Sequence, residues 1–331
     1  MYELITFKID EIPDEYWQKY YNFSYPDKSI AENKTDFTAW KNRLITPVPE
    51  IYENSLISFL MQEKEIIADA NLTTYRKDSL IWGIKTDLQE CIPEIATLFL
   101  NMLKQNRSQF DCLDHMAKTP FEDQLFQLMQ AKIEFELDYY SLDLQKVDLS
   151  LLDCKINDIE KQNSDYRLQF FDMVSDEYLV EYIEIYNILM KEIADKYCNG
   201  EYQHLEVDMM KEAYERKKKN EISDYNYLVF DSYNKMIGFT RVLVIRNNLS
   251  GKPPYQLQTG ILKKHRGKKI ATWLKMAMLK KVIANFPQAK ELQTDTSSRN
   301  HGMKKINEQL GYQYSYTGKM FKLDLGSSCP K

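Results

Sequence analysis

The chain opens twice. YELITFKIDEIPDEYWQKYYNF runs from Tyr2 and YRLQFFDMVSDEYLVEYIEIYN from Tyr166. Each is an alternating strand pattern leading into a helix start, Pro13-Asp14-Glu15-Tyr16 in one and Ser175-Asp176-Glu177-Tyr178 in the other. Ser175 suits a helix N-cap, Pro13 a first turn, and the acids the positive end of a helix. The elements after each opening repeat as well. In the first half LISFLM and EIIADANLTTY read as a hairpin, then LIWGIKTDL as a strand, IPEIATLFLNMLKQN as a helix, FDCLDHM as a strand, FEDQLFQLMQA as a helix and KIEFELDYY as a strand. In the second half YLVF and MIGFTRVLVI read as a hairpin around DSYNK, followed across the loop NNLSGKPP by the strand YQLQTGIL. ATWLKMAMLKKVIANF is then a helix, ELQTDT a strand, HGMKKINEQLG a helix, with a final pair of strands around Thr317-Gly318. A supersecondary order that appears twice in 331 residues predicts two α/β domains of one kind. The polar stretch Val147–Asp165 reads as their link, which gives domains of 1–150 and 151–331.

Composition narrows the partners. With 44% hydrophobic and 28% charged residues the chain can bury a sizeable core, and a net charge of −5 argues against a general polyanion binder. The opening MYELITFKIDEIPDEYW has no basic and apolar leader, and no stretch approaches the roughly 18 apolar residues of a membrane helix, so neither a secretion signal nor a membrane is expected. Cys91, Cys112, Cys154, Cys198 and Cys329 are scattered without CxxC pairing, and the four histidines are dispersed. That fits free thiols in the cytoplasm rather than a disulfide frame, and no metal site is expected.

The densest positive charge lies in TGILKKHRGKKIATWLK, Thr259–Lys275. The strand ends at Ile261, and Ile270, Leu274, Ala277 and Met278 begin an apolar helix stripe, so the basic run sits between a strand and a helix N-terminus. It is open to three readings: a solvated turn, a nucleic-acid patch, or a phosphate cradle. Free first-turn N–H groups and the helix dipole favour anions at such an end. Lys268 and Lys269 are badly placed there unless an anion binds, and Gly267 lets backbone approach a ligand. A nucleic-acid role lacks interleaved aromatic residues.

These residues resemble the GNAT acetyltransferase superfamily, and in particular two-domain members similar to mycothiol synthase. The family's coenzyme loop, V-x-x-x-x-[QR]-G-x-G-x-[GA], is matched by Ile261, Arg266, Gly267 and Ala271, with Lys269 standing where most members carry a second glycine. A second stretch, T-x-x-x-x-x-N-x-x-M-x-x-x-N-x-x-L-G-[FY], is matched by Thr294, Asn300, Met303, Asn307, Leu310, Gly311 and Tyr312. Ser297 or Ser298 can cap that helix, and Met303, Ile306 and Leu310 give it a core face. The resemblance covers Tyr166–Leu325 by motif and the first half by pattern. It implies two tandem GNAT-like domains, each a mostly antiparallel mixed sheet flanked by helices. It also implies acetyl-CoA as co-substrate, held by Gly260, Ile261, Leu262, Arg266, Gly267, Lys268, Lys269, Ile270, Ala271 and Asn300. The Ile261 backbone N–H is the implied catalytic group, stabilising the oxyanion of acetyl transfer to an amine.

The resemblance also marks gaps. The family tyrosine that protonates the leaving thiolate falls on Asn307, which cannot donate a proton in that way. Tyr312, Tyr314 and Tyr316 are nearby in sequence, and Asp295 and His301 flank Asn300, but none is singled out as acid or base. In the first half Gly83 aligns with Gly260, and Gln89 and Glu90 with Arg266 and Gly267. Asp87 and Glu90 repel phosphates and Pro93 removes an N–H, so that half is expected to bind no coenzyme. The expected protein is a monomeric or homodimeric cytoplasmic N-acetyltransferase acting on a small-molecule or peptide amine; the alternative is an acyl-CoA-binding sensor or scaffold.

Overall fold

LISFLM is apolar at every position but Ser58, and both faces of its strand are covered. In the computed structural model this strand is β2 (Leu56–Gln62): Leu56 and Leu60 join one buried cluster, and Ile57, Phe59 and Met61 join another. Residues 1–24, 37, 41, 56–76, 79–106, 112–198, 200, 202, 204–246, 249 and 252–325 are described; Cys329 and much of the NNLSGKPP loop lie outside them. The chain divides into two compact units, Met1–Glu136 with Gly318–Lys331, and Leu137–Thr317. Among the described residues no helix is long and apolar enough to cross a membrane.

The first unit holds β1 (Tyr2–Lys8), α1 (Asp14–Ser24), β2, β3 (Glu65–Arg76), β4 (Ser79–Thr86), α2 (Pro93–Gln105), β5 (Cys112–Ala117) and α3 (Pro120–Leu128). Glu63 and Lys64, both at positive φ, make the tight turn that joins β2 to β3. Trp17 and Tyr20 of α1 cover the Phe59 face, while Phe99 of α2 and Phe121 and Phe126 of α3 cover the other. Only β4 and β5 run parallel.

β6 (Lys132–Asp143) enters the second unit, which continues with α4 (Leu149–Gln162), β7 (Arg167–Asp172), α5 (Asp176–Tyr197), α6 (Val207–Lys219), β8 (Ile222–Phe230), β9 (Met236–Ile245), β10 (Tyr255–Ile261), α7 (Ile270–Asn285), β11 (Glu291–Ser297), α8 (His301–Gln309) and the start of β12 (Gln313–Asp324). Its ladder runs β7-β8-β9-β10-β11-β6, with only β10 and β11 parallel. Tyr182 and Leu189 of α5 pack on Phe239, and Trp273 and Leu279 of α7 pack on Val242, Val244 and Leu292. Beneath α6 the fully buried Asp224 accepts Arg241 Nε at 2.7 Å and Nη2 at 2.6 Å, and pairs with Lys217.

The repeat therefore holds at the level of folded elements, but the last strands are exchanged. β6, which follows the helix of the first repeat, pairs antiparallel with β11 from Leu137↔Ser297 to Asp143↔Glu291. β12, which follows the helix of the second, pairs with β5 from Lys319↔Ala117 to Asp324↔Cys112. The units thus border at 136/137 and again at 317/318, where the sequence reading set a single cut at 150/151. The expected final pair of strands is one strand running straight through Gly318. The supposed link is also structured: α4, capped by Asp148 accepting Leu151 N, sends Leu152 and Ile159 into the core beside α7. Ser175 stands at the N-cap of α5 without making a side-chain cap bond.

Candidate functional site

The site begins where β10 parts from β11. Their parallel ladder is confined to Tyr255↔Gln293 and Gln256↔Thr294. A bulge in the β10–β9 pairing follows between Gln256 and Thr259, braced by Gln256 Nε2 donating to Thr240 Oγ1 and to Arg241 O at 2.9 Å each. β10 then continues on β9 alone as far as Ile261, and Leu262 N donates to Ile237 O at 2.8 Å. Backbone groups alternate sides along a strand, so the N–H and C=O of Ile261 face the side that β11 has left. Gly238 allows β9 this close: a Cβ there would lie 2.3 Å from Gly260 O.

A short 3-10 turn over Lys263–His265 leads from the strand to Gly267 at φ +81° and Lys269 at φ +62°, after which α7 begins with no side-chain cap. Two left-handed residues in one short junction swing the chain so that the first-turn N–H groups of α7 end the loop. A cleft of about 470 Å³ opens here. Gly260, Ile261, Arg266, Gly267, Lys269, Ile270, Ala271 and Asn300 line it, whereas Leu262 and Lys268 do not. Leu262 packs on the apolar cluster under α5. Lys268 turns away, donating to Tyr166 Oη at 2.7 Å and standing 5.0 Å from its ring centroid, while its carbonyl accepts Asn163 Nδ2.

Arg266 does not point its charge into the loop as expected. Its Nε donates to Ile261 O at 2.7 Å, and Nη1 and Nη2 donate to Glu192 Oε1 and Oε2 of α5 at 2.5 and 2.7 Å. That guanidinium holds the Glu192 carboxyl below the usual carboxylate range. His265 also lines the cleft; Tyr166 Oη lies 3.1 Å from its Nδ1, its Nε2 is buried without a partner, and burial lowers its pKa.

On the far wall, Asn300 caps α8, its Oδ1 accepting Met303 N at 3.2 Å, a role the sequence reading gave to Ser297 or Ser298. Met303 and Ile306, expected in the core, line the cleft. Asn307 is fully buried, away from the lining, and both its side-chain polar atoms lack partners. Asp295, which accepts Tyr255 Oη at 3.0 Å, and His301 also lie outside the lining, as do Tyr312, Tyr314 and Tyr316. The phenol that does border the cleft is Tyr197, at the end of α5, which nothing in the motifs marks. Among the described residues no group of metal-ligating side chains comes together.

No protein-family model and no curated protein matches the chain. Solved structures do. The tandem GNAT protein from the clavulanic acid biosynthesis pathway (without AcCoA) superposes with a TM-score of 0.65 at 15% identity, over 99% of this chain and 100% of that one. The chain has the tandem GNAT fold. A GCN5-related N-acetyltransferase from Sphaerobacter thermophilus gives a TM-score of 0.63 at 8% identity over 97% and 96% of the two chains. A GNAT-family acetyltransferase from Colwellia psychrerythraea gives 0.52 at 13% identity over 97% and 100%.

Within this tandem GNAT fold the first unit has a junction equivalent to β10–α7. Its β4–β5 ladder likewise stops early, at Ile81↔Asp114. No residue from 87 to 92 has positive φ, and α2 starts with Pro93. Cys91 N is taken by Gln124 Oε1 at 2.8 Å. The N-terminus of α3 is closed by a capping box between Thr119 and Glu122, whose carboxylate also accepts Lys118 N and lies 3.0 Å from His115 Nε2. The GNAT-like scaffold is kept there without the loop.

Proposed function

We propose that this protein is an acetyl-CoA-dependent N-acetyltransferase, transferring acetyl directly to an amine of a small molecule or peptide from a site in its second unit. The observation that carries the reading is the junction after the parted strand: Ile261 at the open edge, Gly267 and Lys269 at positive φ, and the uncapped start of α7, all on one cleft. The α7 N-terminus and Lys269 would hold the pyrophosphate. The amine, once deprotonated, attacks the thioester carbonyl, and CoA leaves as thiolate. The Ile261 N–H would meet the developing oxyanion, a donor worth about 3 kcal/mol of barrier. Binding both substrates in one cleft supplies their orientation. The first unit would take no coenzyme, since it offers Glu90 and Pro93 in place of Gly267 and a free N–H. The scattered, unpaired Cys91, Cys154 and Cys198 suit a reducing compartment such as the cytoplasm.

Titration of the whole chain with acetyl-CoA tests this: one site per chain is expected, and Gly267→Glu should weaken binding by at least about tenfold, or 1.4 kcal/mol, with the fold retained. A Cβ at Gly267 meets nothing within 4 Å, so the loss would come from charge and the φ of +81° rather than from crowding. Unchanged affinity would put the phosphates elsewhere. The burial of Asn307 away from the cleft favours a second reading, an acyl-CoA-binding protein without turnover. Saturable acetyl-CoA binding with no thiol release across a broad amine panel would select it.

A further inference from the structure

Parting of β10 from β11 leaves two backbone groups of Ile261 without a ladder partner, its N–H and its C=O. Arg266 Nε fills one of the two places, donating to the carbonyl at 2.7 Å. Arg266 is itself held by a bidentate pair with Glu192 at 2.5 and 2.7 Å, a geometry that fixes the plane of the guanidinium as well as its position. Glu192 is rooted in α5 one turn after Leu189, which is 3% exposed and packs directly on Gly260; a Cβ on Gly260 would come within 2.7 Å of Leu189 Cδ1. Residues three apart share a helix face, so α5 grips the end of β10 at two adjacent residues, Gly260 by contact and Ile261 through Arg266. The strand end is thereby replaced on its open side by a side-chain clasp, and the N–H beside the clasped carbonyl is left facing the cleft.

We propose that Glu192 is a positioning residue of the acyl-transfer site, acting through Arg266 to fix the Ile261 backbone so that its N–H meets the carbonyl of a bound thioester. The inference rests on the function proposed above. It assigns the Arg266 charge to holding the strand end and leaves the phosphates to the α7 N-terminus and Lys269. Both partners of the clasp are about two-fifths exposed, at 43% and 41%, so exchanging Glu192 leaves the core untouched.

The test needs no knowledge of the acceptor. Acetyl-CoA labelled with carbon-13 at the carbonyl is bound to the whole chain, and the carbonyl stretch is read by isotope-edited infrared spectroscopy beside the affinity from calorimetry. A fixed donor polarises the carbonyl and moves its band to lower frequency. Glu192→Ala should keep acetyl-CoA affinity within about threefold yet lose at least about half of that displacement. Glu192→Gln, which keeps one hydrogen bond to Arg266, should fall between the two. An identical band in all three proteins would overturn the inference while leaving coenzyme binding intact. So would tighter binding in Glu192→Ala with the band unmoved, the mark of a carboxylate that merely competes with the coenzyme for Arg266. Failure of the unaltered chain to bind acetyl-CoA at all would remove the underlying reading and this inference with it.

Discussion

Lys275 lies on α7 with 2% of its surface exposed and its Nζ 5.3 Å from the centroid of the Tyr312 ring. Burial drives its pKa from 10.5 down to about 7, against a smaller upward pull from the Asp295 carboxylate. Because the folded value is the lower one, the amine's favourable contribution is present above about pH 10.5 and is lost as pH falls through 7. At pH 7 the cost is about 4–5 kcal/mol, the free energy of taking the proton from an amine of pKa 10.5 with the folded form half protonated. Lys275→Met keeps most of the side-chain volume and removes that cost, while giving up about 1 kcal/mol of cation–π attraction. The variant should therefore be more stable than the parent by about 3 kcal/mol at pH 7. The difference should shrink by about 2–3 kcal/mol between pH 7.5 and 9.5, where the unfolded parent still holds a proton that the folded parent has lost and holds it less favourably as pH rises. Urea denaturation of both proteins across that range measures it. A difference that does not change with pH, or a variant weaker than the parent at pH 7, would refute the reasoning.

Asp69 of β3, 2% exposed, has its pKa raised by burial to about 6, with Tyr20 Oη and Asn71 Nδ2 donating to one oxygen at 3.2 and 2.7 Å. The sign is opposite to that of Lys275: its contribution is whole below about pH 4 and lost as pH rises through 6. Asp69→Asn should thus stabilise by about 2–3 kcal/mol at pH 8 and by little at pH 4, and equal effects at the two pH values would count against it. Gly238→Ala places a Cβ 2.3 Å from Gly260 O and 3.0 Å from Ile261 Cα, both backbone atoms. It should cost about 3 kcal/mol or more and disturb the cleft, whereas Gly260→Ala meets only the Leu189 side chain and should cost less; melting temperatures of the pair decide this. Phe321→Ala, in the fully buried part of β12, should cost about 3–5 kcal/mol and raise hydrogen exchange in β5. Exchange rising in β10 and β11 instead would contradict the strand exchange.

Local signals made much of this structure readable. The hairpin turn after β2, the apolar stripe of α7 and the order of elements follow from residues close in sequence, and the fold class with them. What the sequence hid is non-local. β6 and β12 carry similar alternation and either could close either sheet; only the completed ladders decide, through Leu142 opposite Leu292 and Phe321 opposite His115. α4 was within reach, since Leu152, Ile156 and Ile159 have helical spacing, but its polar neighbours read as a link. α6 buries only Met210 and Tyr214 and ends in a basic run, so its pattern is faint. In the cleft, backbone groups were readable from the motif because the loop sets them. Side-chain partners were not: Glu192 is far from Arg266 in sequence, and Tyr197 stands at a helix end that no motif covers.

Lys269 shows what the junction preserves. A lysine at φ +62° bears a left-handed backbone that costs roughly 1–2 kcal/mol and that glycine would adopt freely. The other non-glycine residues at positive φ, such as Lys64, Gln130 and Asn234, sit in turns that only reverse or redirect the chain. At Lys269 the same strain aims the first N–H groups of a helix into a cleft. Where the resembling motif carries its second glycine, this chain has a lysine held at a φ that glycine adopts freely. The first unit has no such residue: positions 87–92 contain no positive φ, and Pro93 lacks one of the N–H groups such a path would aim. A scaffold kept for folding alone has no reason to hold an unfavourable conformation, and the first unit holds none at this place. The second unit does, and the anion proposed at the start of α7 would be the physical requirement that such a backbone serves.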